Sequence, residues 1–137
     1  MFCKGLFKSR GRGVVIEPNA HIPFHKVEIG SNSGIGPNAL LGAVRIGDNV
    51  MMDPDVIILS NNKIFDSRTV SMCLQGKSQD NPVVIGDEIW IAARAIMLRG
   101  VQVGRGAIIG ADAVLAKELP EYAIVAGNFA RIVKQGT

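Results

Sequence analysis

The chain has 137 residues, 47% of them apolar and 20% charged, seven aromatics, and a formal net charge of +3. That length suits one domain and that apolar share supports a core, which excludes a disordered chain, while so small a charge does not imply a nucleic-acid partner. No apolar run reaches the roughly eighteen residues of a membrane span, and Cys3 and Cys73 lack ligand-like spacing, so the expectation is a soluble, cytoplasmic protein with free thiols.

In chain order, Lys4, Lys8, Arg10 and Arg12 come first, ahead of the earliest acid, Glu17. Such a cluster reads either as a solvated, frayed end or as a weak contact for anionic lipid or polysaccharide. An aliphatic residue then recurs in a six-residue register: Ile16, then Ile29 and Ile35, then Ile46, Met52 and Ile58. Between Ile35 and Ile46 the spacing is eleven, so one residue is missing from a coil near Gly42. The segment Asn61–Pro82 is polar and aperiodic. The register resumes at Ile85 and runs through Ile91, Met97, Val103, Ile109 and Leu115. It ends at Pro120, after which Tyr122–Ala126 reads as a terminal strand and Asn128–Val133 as a short cap.

Within the eleven hexads that begin at these aliphatic residues other than Ile58, the second position is Gly, Ala, Glu or Asp in ten, although those types make up under a third of the chain. The fifth position is Ser, Ala or Val in nine. Asn, Asp or Gly often fills the fourth, as at Asn32, Asn38, Asn49, Asp55, Gly100, Gly106 and Asp112. A period of six fits neither a helix nor an ordinary sandwich. It fits a coil of short flat strands with a corner every six residues. The aliphatic residue points inward, small residues fill the crowded corner, and Gly, Asn or Asp accepts its backbone angles. Three sides make a turn of about eighteen residues, and stacked turns share one aliphatic core. The predicted organisation is a single all-β solenoid over 1–137, with a loop at 61–82 that must project outward and a C-terminal strand and cap at 120–137.

The run V-V-I-G-D-E-I-W-I-A-A-R-A-I-M-L-R-G-V-Q-V-G-R-G-A-I-I-G-A-D-A-V-L-A-K-E-L-P (Val83–Pro120) resembles the hexapeptide-repeat acyltransferases. It is most similar to the sugar and polysaccharide O-acetyltransferases of the maltose, galactoside and capsule type. The tail A-I-V-A-G-N-F-A-R-I-V-K (Ala123–Lys134) resembles that family's closing motif, with Phe129 where proline is usual, and S-M-C-L-Q-G (Ser71–Gly76) resembles one branch. The resemblance covers roughly Ile29 to Lys134. It implies a left-handed parallel β-helix, a homotrimer, a saccharide acceptor, and acetyl-CoA bound between neighbouring subunits.

The implied chemistry needs a general base to deprotonate a sugar hydroxyl and a backbone N–H to stabilise the oxyanion. Relatives carry the base as a histidine in a stretch similar to S-N-N-K-I-F (Ser60–Phe65). Lys63 stands at that position and Asn61 at the nearby second-histidine position. An ordinary lysine has only about one neutral amine in 10³ at pH 7, and loss of a general base typically costs about 10²–10⁴ in rate. The resemblance also places Ala93 and Ala111 along the pantetheine arm, and Lys117, Arg131 and Lys134 near the phosphates and nucleotide of CoA. Trp90 reads as a packing residue at the subunit cleft. Ala92, Asp53 and Phe129 depart from the family's usual residues and alter the shape of the pocket.

Two function classes follow. One is an acetyl-CoA-dependent O-acetyltransferase acting on a saccharide, with N-acetylation of an amino sugar as its variant. The other is a catalytically silent trimeric scaffold or CoA-binding protein, motivated by the two missing loop histidines. A metal-dependent β-helix enzyme needs three ligand histidines, and the chain has only His21 and His25, both expected to face solvent.

Overall fold

Residues 6–136 are described by a computed structural model. The hexads become strands of two or three residues, each ended by a tight corner, and the strands stack in parallel on three faces. Face one carries β1 (Ser9–Arg10), β3 (Val27–Ile29), β6 (Val44–Ile46), β9 (Val83–Ile85) and β12 (Gln102–Val103). Face two begins with the pair β2 (Val15–Ile16) and β4 (Gly34–Ile35). It continues through β7 (Met51–Met52), β10 (Trp90–Ile91), β13 (Ile108–Ile109) and β15 (Ala123–Ala126). Face three carries β5 (Leu40–Leu41), β8 (Ile57–Ile58), β11 (Ile96–Met97) and β14 (Val114–Leu115), with His21 bridging Leu40. The whole makes about six turns.

Register explains the core. Met52, Ile91 and Ile109 align on face two, and Leu41, Ile58, Met97 and Leu115 on face three. These inward residues are buried, as are the fifth-position residues from Ala39 and Val50 through Ala95, Ala107 and Ala113. Aligned strands thus bury a column of aliphatic groups from one turn to the next, which is how the fold builds a core with few aromatics. Ser33, buried in this interior, satisfies its hydroxyl by donating to the Gly47 carbonyl (2.6 Å) and accepting from the Val50 N–H (3.0 Å). The missing residue near Gly42 appears as a shortened corner between β5 and β6, where a Cβ on Gly42 would meet Ser60 Oγ at 2.6 Å.

The corners turn through left-handed backbone. Asn32, Asn38, Asn49, Asp55 and Asp112 have φ between 57° and 64°, and Gly100 and Gly106 have 73° and 76°. Asn and Asp tolerate this region better than other side chains. Glu88 and Arg94 occupy the same corner position with φ of 60° and 62°, held there by the coils above and below.

Loop 61–82 leaves face three and returns to β9. Its stem is a short antiparallel contact: Ser78 N–H donates to the Asn62 carbonyl (2.8 Å) and Ile64 N–H to the Gly76 carbonyl (2.9 Å). Its outer part exposes Phe65, Met72 and Leu74 and contains one 3₁₀ turn, Met72–Leu74. Cys73 is exposed there as a free thiol, whereas Cys3 and Lys4 lie outside the described residues.

At the N-terminal end, Phe7 is buried and packs edge-on against Phe24, with ring centroids 4.9 Å apart. At the other end the terminal strand starts at Ala123 rather than Tyr122, because Tyr122 sits in a turn with φ of 58°. Asn128 bridges Val114, Ala130 packs against the core, and β16 (Arg131–Gln135) returns antiparallel along β15 with each of its residues exposed.

Candidate functional site

The residues singled out in the sequence fall into three groups on one chain. The first lies at the loop stem. Asp80, at the returning end, gathers three partners: its Oδ1 accepts from Ser60 Oγ and from Asn61 Nδ2, both at 2.9 Å, and its Oδ2 lies 2.8 Å from Lys26 Nζ. The Lys26 hydrogen bond, then those from Asn61 and Ser60, hold the Asp80 carboxyl at about 2. Asp80 therefore ties the departing strand, the returning loop and the first coil together. The Asn61 amide is committed to this carboxylate. Lys63 is exposed and lines a separate concavity of about 250 Å³ with Asn62, Phe65, Asp66, Ser78 and Arg99.

The second group is a corner column. The Ile91↔Ile109 pairing sets Ala93 beside Ala111 in adjacent turns, with Asp112 N–H donating to the Ala93 carbonyl at 3.0 Å. Arg94 N–H donates likewise to the Pro54 carbonyl below. Ala93 is half-buried and Ala111 exposed, so the column is a shallow wall without long side chains. Beside it, Arg94 and Asp112 form a doubly hydrogen-bonded pair at 2.7 and 3.2 Å. That pair lowers the Asp112 carboxyl pKa and raises the Arg94 guanidinium pKa. Trp90, on the same turn as Ala93, is 43% exposed and donates Nε1–H to Asp53 Oδ2 at 3.0 Å. Asp53 thus fixes the indole.

The third group is a groove of about 500 Å³ at the C-terminal end, lined by Lys117, Arg131, Phe129, Leu119 and Ile132 among others. It unites Lys117 with Arg131. Lys134 does not line it; it pairs with Ile124 along β15. Lys63 lines one concavity, and Lys117 and Arg131 line another.

Asp80, Lys26 and Arg99 were not among the residues picked from the sequence. Their roles depend on where the loop returns, and no spacing signal carries that. Among the described residues, no group of three His, Cys, Asp or Glu side chains is placed to hold a metal, and no helix is long and apolar enough to cross a membrane. His21 and His25 are both exposed.

The outward columns differ between faces. Face one presents Ser9, Glu28, Arg45, Val84 and Gln102. Face two presents Met51, Trp90, Ile108 and Ile124 in register, and face three Leu40, Ile57, Ile96 and Val114.

Residues 82–117 match the family model described as bacterial transferase hexapeptide (six repeats). Among curated proteins, YJL218W of Saccharomyces cerevisiae, whose name assigns it provisionally to the acetyltransferases, is 36% identical over 90% of this chain and 63% of its own length. A maltose O-acetyltransferase from Clostridium difficile superposes with a TM-score of 0.84 at 28% identity, covering 96% of this chain and 71% of that one. The hexapeptide-repeat containing acetyltransferase VCA0836 of Vibrio cholerae does so with a TM-score of 0.88 at 25% identity, covering 96% and 76%. That Vibrio protein has also been solved with acetyl coenzyme A. The chain spans between about half and two thirds of the length of the curated relatives it matches over most of its own length.

The three-faced coil is a left-handed parallel β-helix. Over residues 82–117 the chain matches the hexapeptide-repeat transferase family model, and over nearly its whole length it shares the fold of the acetyltransferases on which it superposes.

Proposed function

We propose that this protein is an acetyl-CoA-dependent acetyltransferase, acting on a hydroxyl of a saccharide acceptor as a homotrimer in the cytoplasm. The observation that carries the reading is the Ala93–Ala111 column beside Trp90, on the segment that matches the family. Two stacked alanines leave backbone accessible at a corner, which suits a thin, flexible thioester arm. Lys117 and Arg131 in one groove suit the phosphates at its other end, because guanidinium and ammonium groups pair well with phosphate oxygens. The crystallised Vibrio neighbour with acetyl coenzyme A and the maltose O-acetyltransferase fold support the same donor and acceptor class.

The reaction forms a bond between the acceptor oxygen and the acetyl carbon and breaks the carbon–sulfur bond. The hydroxyl proton leaves to a base, and the thiolate leaves with a proton. A backbone N–H at the alanine corner stabilises the developing oxyanion, and holding both substrates together lowers the entropic cost. Lys63, at the position expected for the base, faces a cleft completed by a neighbouring copy. The apolar outward columns of faces two and three support such association, since patches of this kind mark protein contacts.

The second reading, a silent trimeric scaffold that retains the CoA cleft, is favoured by one observation: the Asn61 amide is taken up by Asp80. Thiol release from acetyl-CoA, measured with a panel of saccharides, separates the two. Acceptor-dependent release supports transfer. CoA binding by calorimetry without release in any acceptor supports the scaffold.

A further inference from the structure

Lys63 and Lys77 stand directly opposite each other in the loop stem. The flanking hydrogen bonds, Ile64 to Gly76 and Ser78 to Asn62, make theirs the non-hydrogen-bonded type of antiparallel pair, in which facing side chains come closest. Like charges placed so are unfavourable unless a counter-ion lies between them. A third cation, Arg99, lies beside Lys63. With its amide oxygen turned toward Arg99 Nε (3.0 Å) and its nitrogen toward the Asn61 carbonyl (3.1 Å), Asn62 anchors the Arg99 guanidinium. Arg99 then lines the same concavity of about 250 Å³ as Lys63.

Among the described residues, no carboxylate lies within 4.0 Å of Lys63, Lys77 or Arg99. Asp66 lines the concavity without pairing with either of its cations. The larger groove on face one is different: there Lys26 is matched by Asp80 and Arg45 by Glu28. Opposite-charge neighbours have been supplied in that groove and not at the stem. Uncompensated cations this close repel one another, and an oxyanion seated among them relieves that repulsion.

We infer that Lys63, Lys77 and Arg99 form an oxyanion-binding site at the loop stem, which takes a carboxylate or phosphate group carried by the acceptor. The anion site stands on the stem geometry alone; its assignment to the acceptor rests on the acetyl-transfer reading. Lys63 is then a specificity residue for a charged acceptor, and Arg99, anchored by Asn62, supplies a planar donor fork suited to either oxyanion.

Calorimetric titration with inorganic phosphate and, separately, with succinate, at constant ionic strength, tests the site without requiring turnover. Saturable binding of either is expected, and the preferred ion distinguishes a phosphorylated from a carboxylated acceptor. Lys63→Gln, Lys77→Gln and Arg99→Gln should each weaken it about 3- to 10-fold, as expected of partly exposed charge-assisted contacts. Arg105→Gln, an exposed cation elsewhere, should leave it unchanged. No saturable binding overturns the proposal. So does binding that survives all three stem substitutions, as would phosphate held at Lys117 and Arg131. If stem binding holds while thiol release fails with every acceptor, the anion site stands and the acetyl-transfer reading falls.

Discussion

Replacing Asp80 by asparagine removes a charge that fastens the loop to the coil. The carboxyl sits at about 2 against an ordinary 3.8, mainly because of Lys26, then Asn61 and Ser60. Taken at face value that shift is worth about 2 kcal/mol; the Asp80 side chain is 25% exposed and that of Lys26 44%, so solvent screening leaves about 1 kcal/mol. For a chain of this size the loss lowers Tm by about 3–6 °C. The pH dependence has a definite sign. A depressed folded-state pKa contributes stability that is complete above the unfolded-state value and fades as pH falls toward the folded one. The Tm gap between wild type and Asp80→Asn should therefore be full near neutrality and shrink from about pH 5 downward, closing near the folded value of about 2. Thermal unfolding followed by circular dichroism across that range measures it. Equal Tm values at neutral pH, or a gap that does not change between about pH 5 and pH 3, would refute the assignment of Asp80 as the charged anchor.

Three further outcomes follow from the same geometry. Gly47→Ala should destabilise by about 2–4 kcal/mol, because a Cβ there collides with Asp87 Oδ1 and lies 2.8 Å from the Gly86 backbone, and denaturant unfolding measures the loss. Lys63→His should raise kcat at saturating acceptor by up to about 10² if that position faces the reacting hydroxyl, and an unchanged rate would show that it does not. Ala111→Trp should raise KM for acetyl-CoA at least about tenfold while moving Tm by little, since Ala111 is exposed and makes no core contact.

The fold was legible because each hexad position does one physical job. Aliphatic starts point inward, and every Asn, Asp or Gly singled out at the fourth position takes positive φ. Glu88 and Arg94 take the same backbone without a permissive side chain, so composition alone would have missed those corners. The first coil was harder to read, because the 3₁₀ turn Phe24–Lys26 and the Phe7–Phe24 contact replace the aliphatic register there. At the site, Lys63, Asn61 and the alanine column could be named from local motifs. Asp80 and Arg99 could not, because their partners lie 19 or more residues away in chain and meet only through the path of the loop: Asp80 to Asn61 across 19 residues, for example. The expected grouping of Lys117, Arg131 and Lys134 is only partly reproduced, since the antiparallel return of β16 carries Lys134 out of the groove.

The central claim is that this coil presents acetyl-CoA along one corner to a loop from another copy. A crystal structure with CoA tests it most directly. The account predicts a trimer with the pantetheine arm against Ala93 and Ala111, phosphates near Lys117 and Arg131, and the thiol facing a neighbour's Lys63. A monomer, or CoA bound away from the alanine corner, would contradict it.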